Sequence, residues 1–153
     1  MSTKTAWASS AFSPSIVAAT LFVSGCMHHA TAEGAYSELA DRAEAHHAAS
    51  VDASNAADVR AETERYAADM PRMMDDMMAM CADMMGSGMM DGRDMDRMDA
   101  LGGQMNAAVG EHHARMAAMT DLAAMRGECE THHAAMVTIL AEMRGMLTHG
   151  GMM

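Results

Sequence analysis

The chain contains an internal repeat, in which residues 44–77 align without gaps on residues 110–143. The matches fall on chemically distinctive residue types as well as on the abundant alanines. They pair His46, His47, Glu62, Glu64, Met70 and Met77 with His112, His113, Glu128, Glu130, Met136 and Met143. Tyr66 aligns with His132. We interpret the chain as one structural unit present twice, so its fold must hold two copies of that unit.

Each copy of the repeat is predicted to be a helical hairpin with a turn near its middle. The pairs Ser54-Asn55 and Thr120-Asp121 carry side-chain oxygens that accept hydrogen bonds from the free N–H groups of a following helix. The sequence thus predicts four helices, at residues 33–53, 56–85, 94–119 and 121–147. Since short connections make successive helices antiparallel, the predicted fold is an all-α, up-down-up-down four-helix bundle of two repeated hairpins.

The residue composition also favours helices over strands. Beyond residue 25 the aromatic residues are Tyr36 and Tyr66 alone, whereas the whole chain has 23 methionines. Small and straight-chain residues favour helix, and strands favour β-branched and aromatic residues, so an all-β fold is excluded. We expect Pro71 to kink the second helix and Gly102-Gly103 to shorten the third.

Residues 1–26 have the pattern of an export signal. Lys4 gives a positive start, and residues 15–23 form an apolar stretch that is too short to span a bilayer. This stretch leads into Val23-Ser24-Gly25-Cys26, which resembles the lipobox of bacterial lipoproteins. The alternative is an ordinary secretory signal with an incidental cysteine.

The lipobox resemblance and the predicted helices together divide the chain into four parts. They are a removable signal peptide, a linker, the helical bundle and a tail, at residues 1–25, 26–32, 33–147 and 148–153. Cys26 would carry acyl chains such as palmitate. Because Met27 follows it, no aspartate retains the protein in the inner membrane. The resemblance therefore implies a lipid-anchored protein on the periplasmic side of the outer membrane.

The charge balance excludes one class of partner. The formal net charge is −11, and loss of the leader with Lys4, the only lysine, makes it −12. Nucleic-acid binding needs a basic surface, whereas an acidic surface attracts cations. The sequence also contains no nucleophile elbow, no HExxH and no phosphate-binding loop. The charge and the missing motifs therefore favour a binding protein over a nucleic-acid-binding protein or a hydrolase.

Histidines and glutamates of the two copies are predicted to meet in one layer of the bundle. Helical periodicity indicates a core-facing set, His46, His112 and His132, and an outer set at seams or on the surface, His47, His113 and His133. The partners expected across the turns are Glu62 for His47 and Glu128 for His113. Buried imidazoles and carboxylates are costly unless they neutralise one another or bind a metal, and they suit zinc, iron or Cu(II). The alternative is a set of paired polar residues without a metal.

A second pattern resembles the ferritin-like di-iron bundles, which use Glu-x-x-His motifs on two helices and a lone glutamate on the other two. The matching residues are Glu44-x-x-His47 and Glu130-x-x-His133, with Glu62 and Glu111 as the lone glutamates. The match departs from the family because the motifs would lie on the first and fourth helices rather than on the second and fourth. The resemblance implies a di-metal redox enzyme as a secondary hypothesis.

The segment at residues 70–98 contains twelve methionines and no leucine. Thioethers and thiolates are soft ligands that select Cu(I) and, by the same logic, Ag(I). The candidate ligands in this segment are Met70, Met73, Met74, Met77, Met78, Met80, Cys81, Met84 and Met85. The segment resembles the methionine-rich motifs of periplasmic copper- and silver-handling proteins. The alternative is an amphipathic helix whose apolar face is methionine, a residue that fills gaps in cores well.

The two cysteines beyond the leader are expected at opposite ends of the bundle. Cys81 lies in the methionine-rich segment and Cys129 near the histidines. The helix between Glu62 and Met80 spans about 27 Å at the usual rise. We therefore predict no disulfide between the two cysteines, and two separate metal sites.

Three functions are open on the sequence alone. The leading one is an envelope lipoprotein that sequesters or buffers copper or silver, with Cu(I) at the methionines and zinc or iron as further metals for the histidine layer. The second is a di-metal redox enzyme. The third is a structural or chaperone-like helical lipoprotein that is indifferent to metals. The expected partners are a metal ion and the membrane, and the oligomeric state is left undetermined.

Overall fold

The computed structural model describes residues 31–150. Its four helices, α1 to α4, cover Ala32–Asp52, Ala56–Gly86, Gly92–Ala118 and Leu122–Gly150. No strand occurs in this range, so the predicted all-α class is confirmed. The expected signal peptide, the expected lipidation site Cys26, most of the expected linker and the last three residues of the expected tail lie outside the described residues.

Each helix begins beside a side chain that accepts hydrogen bonds from its first free N–H groups. Asn55 caps α2 and Asp121 caps α4, as predicted for the two turns. Asp91 caps α3, and the Thr31 hydroxyl caps α1. Gly88 gives the α2–α3 connection a left-handed residue with a φ of 77°, a conformation that is easy for glycine.

The helices pack in a ring in chain order, with α4 closing against α1. Because every connection is short, successive helices run antiparallel, which is the predicted up-down-up-down bundle. We call the end with the turns at residues 53–55 and 119–121 the loop end. The opposite end, which holds the α2–α3 connection, is the Met-rich end.

Two reciprocal hydrogen bonds join the hairpin turns at the loop end. Arg60 Nη2 donates to the Met119 carbonyl, and Arg126 Nη2 donates to the Ala53 carbonyl at 2.6 Å. The two donors align with each other in the repeat, and so do the two acceptors. An approximate twofold axis along the bundle therefore relates the two hairpins. The repeat in the sequence is thus also a repeat in the structure.

Methionine is the most common residue in the core. Nine methionines are at most 2% exposed, namely Met70, Met74, Met77, Met98, Met105, Met116, Met125, Met136 and Met143. A long apolar cluster fills the bundle toward the Met-rich end. A short one, formed by Val59, Met116, Met125 and Cys129, fills the loop end. The buried histidines lie between the two clusters, so apolar side chains cover them on both sides.

Helices α2 and α3 are both continuous at the positions where the sequence contains proline or paired glycines. α3 is unbroken across Gly102-Gly103, so the predicted shortening is wrong. A Cβ at Gly102 would lie 3.3 Å from Met74 Sδ, which means that this glycine allows close packing of α2 on α3. α2 continues as one helix across Pro71. None of the described helices has a stretch long and apolar enough to cross a membrane.

Candidate metal centre

Three histidines and one tyrosine form a buried layer of rings, which we call the histidine layer. His46, His112 and His132 are 2%, 0% and 3% exposed, and Tyr66 is 0% exposed. His46 stacks on Tyr66 and His112 stacks on His132, with ring centroids 4.1 Å apart in both pairs. The second pair consists of the repeat counterparts of the first. The inward orientation predicted for the three histidines is confirmed.

Repeat-equivalent residues contact each other at the centre of this layer. His46 Nε2 lies 3.2 Å from His112 Nε2, and His132 Nε2 lies 3.2 Å from the Tyr66 hydroxyl oxygen. Two counterparts can touch only near the twofold axis, so the layer surrounds that axis. The Nε2 atom of His132 is occupied by the tyrosine hydroxyl, whereas those of His46 and His112 face each other.

Each of these two facing histidines has a glutamate behind its other ring nitrogen. His112 Nδ1 is 3.2 Å from Glu128 Oε1, and His46 Nδ1 is 3.5 Å from Glu62 Oε1. The second contact does not have the geometry of a hydrogen bond, so His46 Nδ1 is buried without a hydrogen-bond partner. The two copies of the repeat therefore make the same imidazole–carboxylate contact, but only the contact between His112 and Glu128 is a hydrogen bond.

These contacts correct the predicted register by one residue. The sequence-based pairing placed Glu62 opposite His47 on the assumption that the turn is centred between Ser54 and Asn55. The structure centres that turn on Ser54, since α1 ends at Asp52 and α2 begins at Ala56. The shift brings His46 to Glu62. In the second hairpin the same shift brings His112, rather than the predicted His113, to Glu128.

Arginines bind both glutamates. Arg42 and Arg65 each donate to Glu62 at 2.8 Å, and Arg115 donates to Glu128 at 2.7 Å. Burial by itself would raise the pKa of Glu62, but the hydrogen bonds from Arg42 and Arg65 hold that pKa below its usual value. Glu62 is therefore a carboxylate at neutral pH, and a carboxylate accepts hydrogen bonds without donating any.

The buried imidazoles are neutral at physiological pH. Burial lowers the pKa of His46 to about 4, with the nearby His112 acting in the same direction. Burial, together with His112 and His46, lowers the pKa of His132 to about 3. Burial also lowers the pKa of His112, against the opposing hydrogen bond with Glu128. Each ring therefore keeps one nitrogen lone pair, which is the form that binds metals.

The ring protons of the facing histidines cannot satisfy all their neighbours at once. A neutral imidazole has one N–H. If both protons are on Nδ1, toward the carboxylates, the Nε2 lone pairs of His46 and His112 face each other at 3.2 Å. If His46 carries its proton on Nε2 instead, its Nδ1 lone pair faces Glu62. A cation between the two Nε2 atoms would remove this conflict.

Cys129 is a candidate ligand that the sequence reasoning missed. Its side chain is 1% exposed, and its Sγ lies within 4.8 Å of ligand nitrogens of His46 and His112. Burial raises the pKa of Cys129, with Ser50 acting in the opposite direction, so a metal would have to displace the thiol proton. The sequence spacing could have indicated this ligand, because Cys129 precedes the core-facing His132 by one helical turn and therefore lies on the same face of the helix.

The facing nitrogens have the separation required of two ligands on one ion. On a tetrahedral ion with bonds of about 2.0–2.1 Å to nitrogen, two ligand nitrogens are about 3.3 Å apart. The Nε2 atoms of His46 and His112 are 3.2 Å apart. Metal-ligating histidines also commonly donate their other ring N–H to a carboxylate, and Glu62 and Glu128 lie on that side of the rings. The residues present therefore fit a metal ion.

The outer histidines occupy two different environments. His113 is exposed and lines a groove with Arg60 and Glu64, away from the histidine layer. His47 and His133 are partly buried between α1 and α4, where their rings stack with centroids 4.1 Å apart. The predicted seam and surface positions are confirmed. His47 and His113, both candidate ligands on the sequence, are thus outside the buried layer.

The two Glu-x-x-His motifs meet across the seam between α1 and α4. Glu44 lies 2.9 Å from His133, and Glu130 lies 3.2 Å from His47. Both lone glutamates expected from the ferritin-like resemblance bind arginines instead; they are Glu62 and Glu111. The motifs thus form a cluster of two histidines and two glutamates without the further carboxylates that the di-iron resemblance implies.

The methionine candidates divide between the core and an open cavity. The core contains Met70, Met74, Met77 and Cys81, at the spacing of a packed helix face. Met73, Met78, Met80 and Met84 are partly buried beside it, and Met85 is 44% exposed. Met80, Met84 and Met89 line a cavity of about 470 Å³ at the Met-rich end, together with Asp83 and Glu33. An ion from solvent would reach these thioethers before those of the core.

The candidate metal centre draws on all four helices. Helix α1 supplies His46, α2 supplies Glu62 and α3 supplies His112. Helix α4 supplies both Glu128 and Cys129. Cys81, the other thiol of the described chain, is also free and buried, but in the long cluster toward the Met-rich end. No protein-family model, no curated protein and no solved structure matches this chain.

Proposed function

We propose that this protein binds copper and buffers or sequesters it, with the primary site at His46, His112 and Cys129. The observation that supports this most strongly is the pair of Nε2 atoms that face each other at 3.2 Å. Their protons cannot serve the carboxylates and each other together, and buried polar groups are costly when they are left unpaired. A bound cation satisfies both Nε2 lone pairs and lets each Nδ1 keep its proton on the side that faces its glutamate.

The donor set is the reason for preferring copper to a hard cation. Two imidazoles and a thiolate are borderline to soft ligands, which suit copper and zinc better than magnesium or calcium. The chain adds thioethers, which select Cu(I) among the common biological metals and, by the same logic, Ag(I). Zinc and iron are the alternative occupants of the histidine layer.

The cavity at the Met-rich end supports a second, softer site. Met80, Met84 and Met89 supply three thioethers, and Asp83 and Glu33 add negative charge that attracts cations. Thioethers form no disulfides, so they suit an oxidising compartment. This cavity is about 27 Å from the histidine layer along α2 at the usual helical rise, and the two sites would load independently.

The surroundings of the histidine layer favour storage over catalysis. Apolar clusters cover it toward both ends of the bundle, an arrangement that suits retention of an ion better than access for a substrate. With the lipobox-like leader, the proposal is an envelope lipoprotein on the periplasmic side of the outer membrane that holds copper or silver. Its partners are then the metal ion and the membrane to which its lipid is anchored.

The test is Cu(I) binding by the full chain, measured under reducing conditions against a chromophoric chelator of known affinity. The Cys129→Ser variant should bind Cu(I) at least about tenfold more weakly at the tightest site, because it loses a direct ligand. Cys81→Ser is the matched control, since it removes an equally buried thiol from the other end. Absence of Cu(I) uptake, or equal affinities in the two variants, would overturn the proposal.

A further inference from the structure

The four residues of the Glu-x-x-His motifs form a separate cluster on the surface of the bundle. They are Glu44 and His47 on α1 and Glu130 and His133 on α4, which we call the seam cluster. We propose that the seam cluster is a further metal site, which binds a divalent cation of the zinc type. This site is independent of the histidine layer and of the copper proposed there.

The seam cluster brings metal-ligating side chains close together, and its two parallel imidazoles would rotate about their side-chain bonds to bind one ion. On each helix the glutamate and the histidine are one turn apart, so both face the seam. The antiparallel helices cross-pair them, with Glu44 Oε2 2.9 Å from His133 Nε2 and Glu130 Oε2 3.2 Å from His47 Nε2. Ligand atoms of Glu44, His47 and His133 lie within 4.8 Å of one another. Donors from two helices therefore already converge on one small volume.

The charges and hydrogen bonds of the cluster favour a cation there. Among the ion pairs of residues 31–150, Glu44 and Glu130 pair only with histidines, whereas each of the other paired glutamates binds an arginine. His47 Nε2 is enclosed but makes no hydrogen bond, because its contact with Glu130 lacks the required alignment. Two carboxylates thus flank an imidazole nitrogen that has no hydrogen-bond partner.

The ligand types specify the kind of ion. The three converging donors are two imidazoles and the Glu44 carboxylate, a nitrogen–oxygen set that suits Zn²⁺ and similar divalent ions. Glu130 lies beside His47 as a potential fourth ligand. The cluster contains no sulfur, so it has no preference for Cu(I). The side chains of Glu44 and Glu130 are 68% and 61% exposed, which lets an ion enter directly from solvent.

The repeat provides an internal comparison on the opposite side of the bundle. The counterparts of the seam cluster, in the same order, are Gly110, His113, Glu64 and Ala67. His113 and Glu64 line a groove together, but glycine and alanine replace the other two ligands. The opposite seam is thus a half-site with one histidine and one glutamate, which is too few ligands to hold zinc tightly.

The experiment measures Zn²⁺ binding to the full chain by competition with a chromophoric chelator. The double variant His47→Ala/His133→Ala should lose one equivalent of tightly bound zinc, with affinity at that site at least about 100-fold lower. His113→Ala, the matched change in the half-site, should bind zinc as the unmodified chain does. Glu44→Gln/Glu130→Gln keeps the size of the side chains and should also weaken this equivalent, and circular dichroism checks that each variant stays helical.

A cobalt spectrum separates this site from the histidine layer. Co²⁺ bound with Cys129 gives a thiolate charge-transfer band, whereas Co²⁺ in the seam cluster gives none because its ligands are nitrogen and oxygen. The double variant should keep the thiolate band, and Cys129→Ser should keep the zinc equivalent of the seam. Unchanged zinc stoichiometry in the double variant, or an equal loss in His113→Ala, would overturn the seam site without bearing on the buried one.

Discussion

His46 Nε2 lies 3.2 Å from His112 Nε2, and the two residues occupy the same position in the two copies of the repeat. Such a contact arises when a duplicated hairpin packs against its own copy around a twofold axis. One inward histidine in the unit then becomes two facing histidines in the bundle. A two-nitrogen ligand pair therefore follows directly from the duplication, and Cys129 breaks the symmetry by adding a thiol from one copy.

Mild acid should destabilise the bundle. The pKa values of His46 and His132 are about 4 and about 3 in the folded chain, against about 6.5 when the chain is unfolded. Below pH 6.5 the unfolded chain therefore takes up protons that the folded chain excludes, so stability is full above pH 6.5 and declines as the pH falls. We expect a decline of roughly 2 kcal/mol for each histidine between pH 7 and pH 5, and urea unfolding at the two pH values measures it.

The contribution of a single ring can be separated from the rest. His132→Phe keeps an aromatic ring in the layer but removes its titrating nitrogen, so it should reduce the pH dependence by about one histidine's share. Stability that is constant between pH 7 and pH 5 would contradict the neutral histidine layer.

The two turn-binding arginines should contribute equally to stability. Arg60→Ala and Arg126→Ala each remove a charged donor from a backbone carbonyl of the other hairpin, which costs about 1.5–3 kcal/mol. Arg97→Ala is the control, because its 3.3 Å pair with Glu142 is on the surface and contributes under about 1 kcal/mol. Denaturant midpoints measure all three, and clearly unequal effects of the first two would argue against the twofold arrangement.

The methionines of the open cavity should bind soft metal without stabilising the fold. Replacing Met80, Met84 and Met89 together by leucine removes three thioethers that line the cavity at the Met-rich end. Uptake of Ag(I) by the full chain should fall by at least one equivalent, as measured by elemental analysis after desalting. Helix content should stay the same, because leucine is as good a helix former.

The core methionines of the same helix give the matched comparison. Met70, Met74 and Met77 are at most 2% exposed, and leucine conserves most of their volume. Each replacement should change the free energy of unfolding by less than about 1.5 kcal/mol and should leave Ag(I) uptake unchanged. Loss of Ag(I) from the core variant and not from the cavity variant would show that the soft ligands are the buried thioethers.

Adjacent glycines in α3 should respond differently to alanine. At Gly103 a Cβ would have nothing within 4 Å, so Gly103→Ala should stabilise the protein by about 0.5–1 kcal/mol through helix propensity. A Cβ at Gly102 meets Met74 Sδ at 3.3 Å and Met74 Cγ at 3.5 Å, so Gly102→Ala should gain less. Thermal unfolding ranks the two, and a larger gain at Gly102 would contradict the close packing seen there.

Much of the fold was predictable because its determinants are local. The capping residues Asn55 and Asp121 mark their turns in the sequence, and the helical period turns His46, His112 and His132 inward. These features depend on the geometry of a single helix. The constant offset of the repeat then relates the two hairpins without any knowledge of their packing.

The parts that the sequence did not predict depend on neighbouring helices. The pairing of Glu62 with His46 depends on where the turn is centred, which changes the register by one residue. The role of Gly102 depends on Met74 across the interface between α2 and α3. Cys129 becomes a candidate ligand only because histidines of α1 and α3 reach it. Periodicity along one helix contains none of this information.

The most direct test of the buried site is X-ray absorption spectroscopy at the copper edge, on the full chain loaded with one equivalent of Cu(I). The proposed site predicts two imidazole nitrogens and one sulfur around the metal. The sulfur should disappear in Cys129→Ser and persist in Cys81→Ser. A shell of sulfur alone, or the same spectrum from Cys129→Ser as from the unmodified chain, would contradict metal binding at His46, His112 and Cys129.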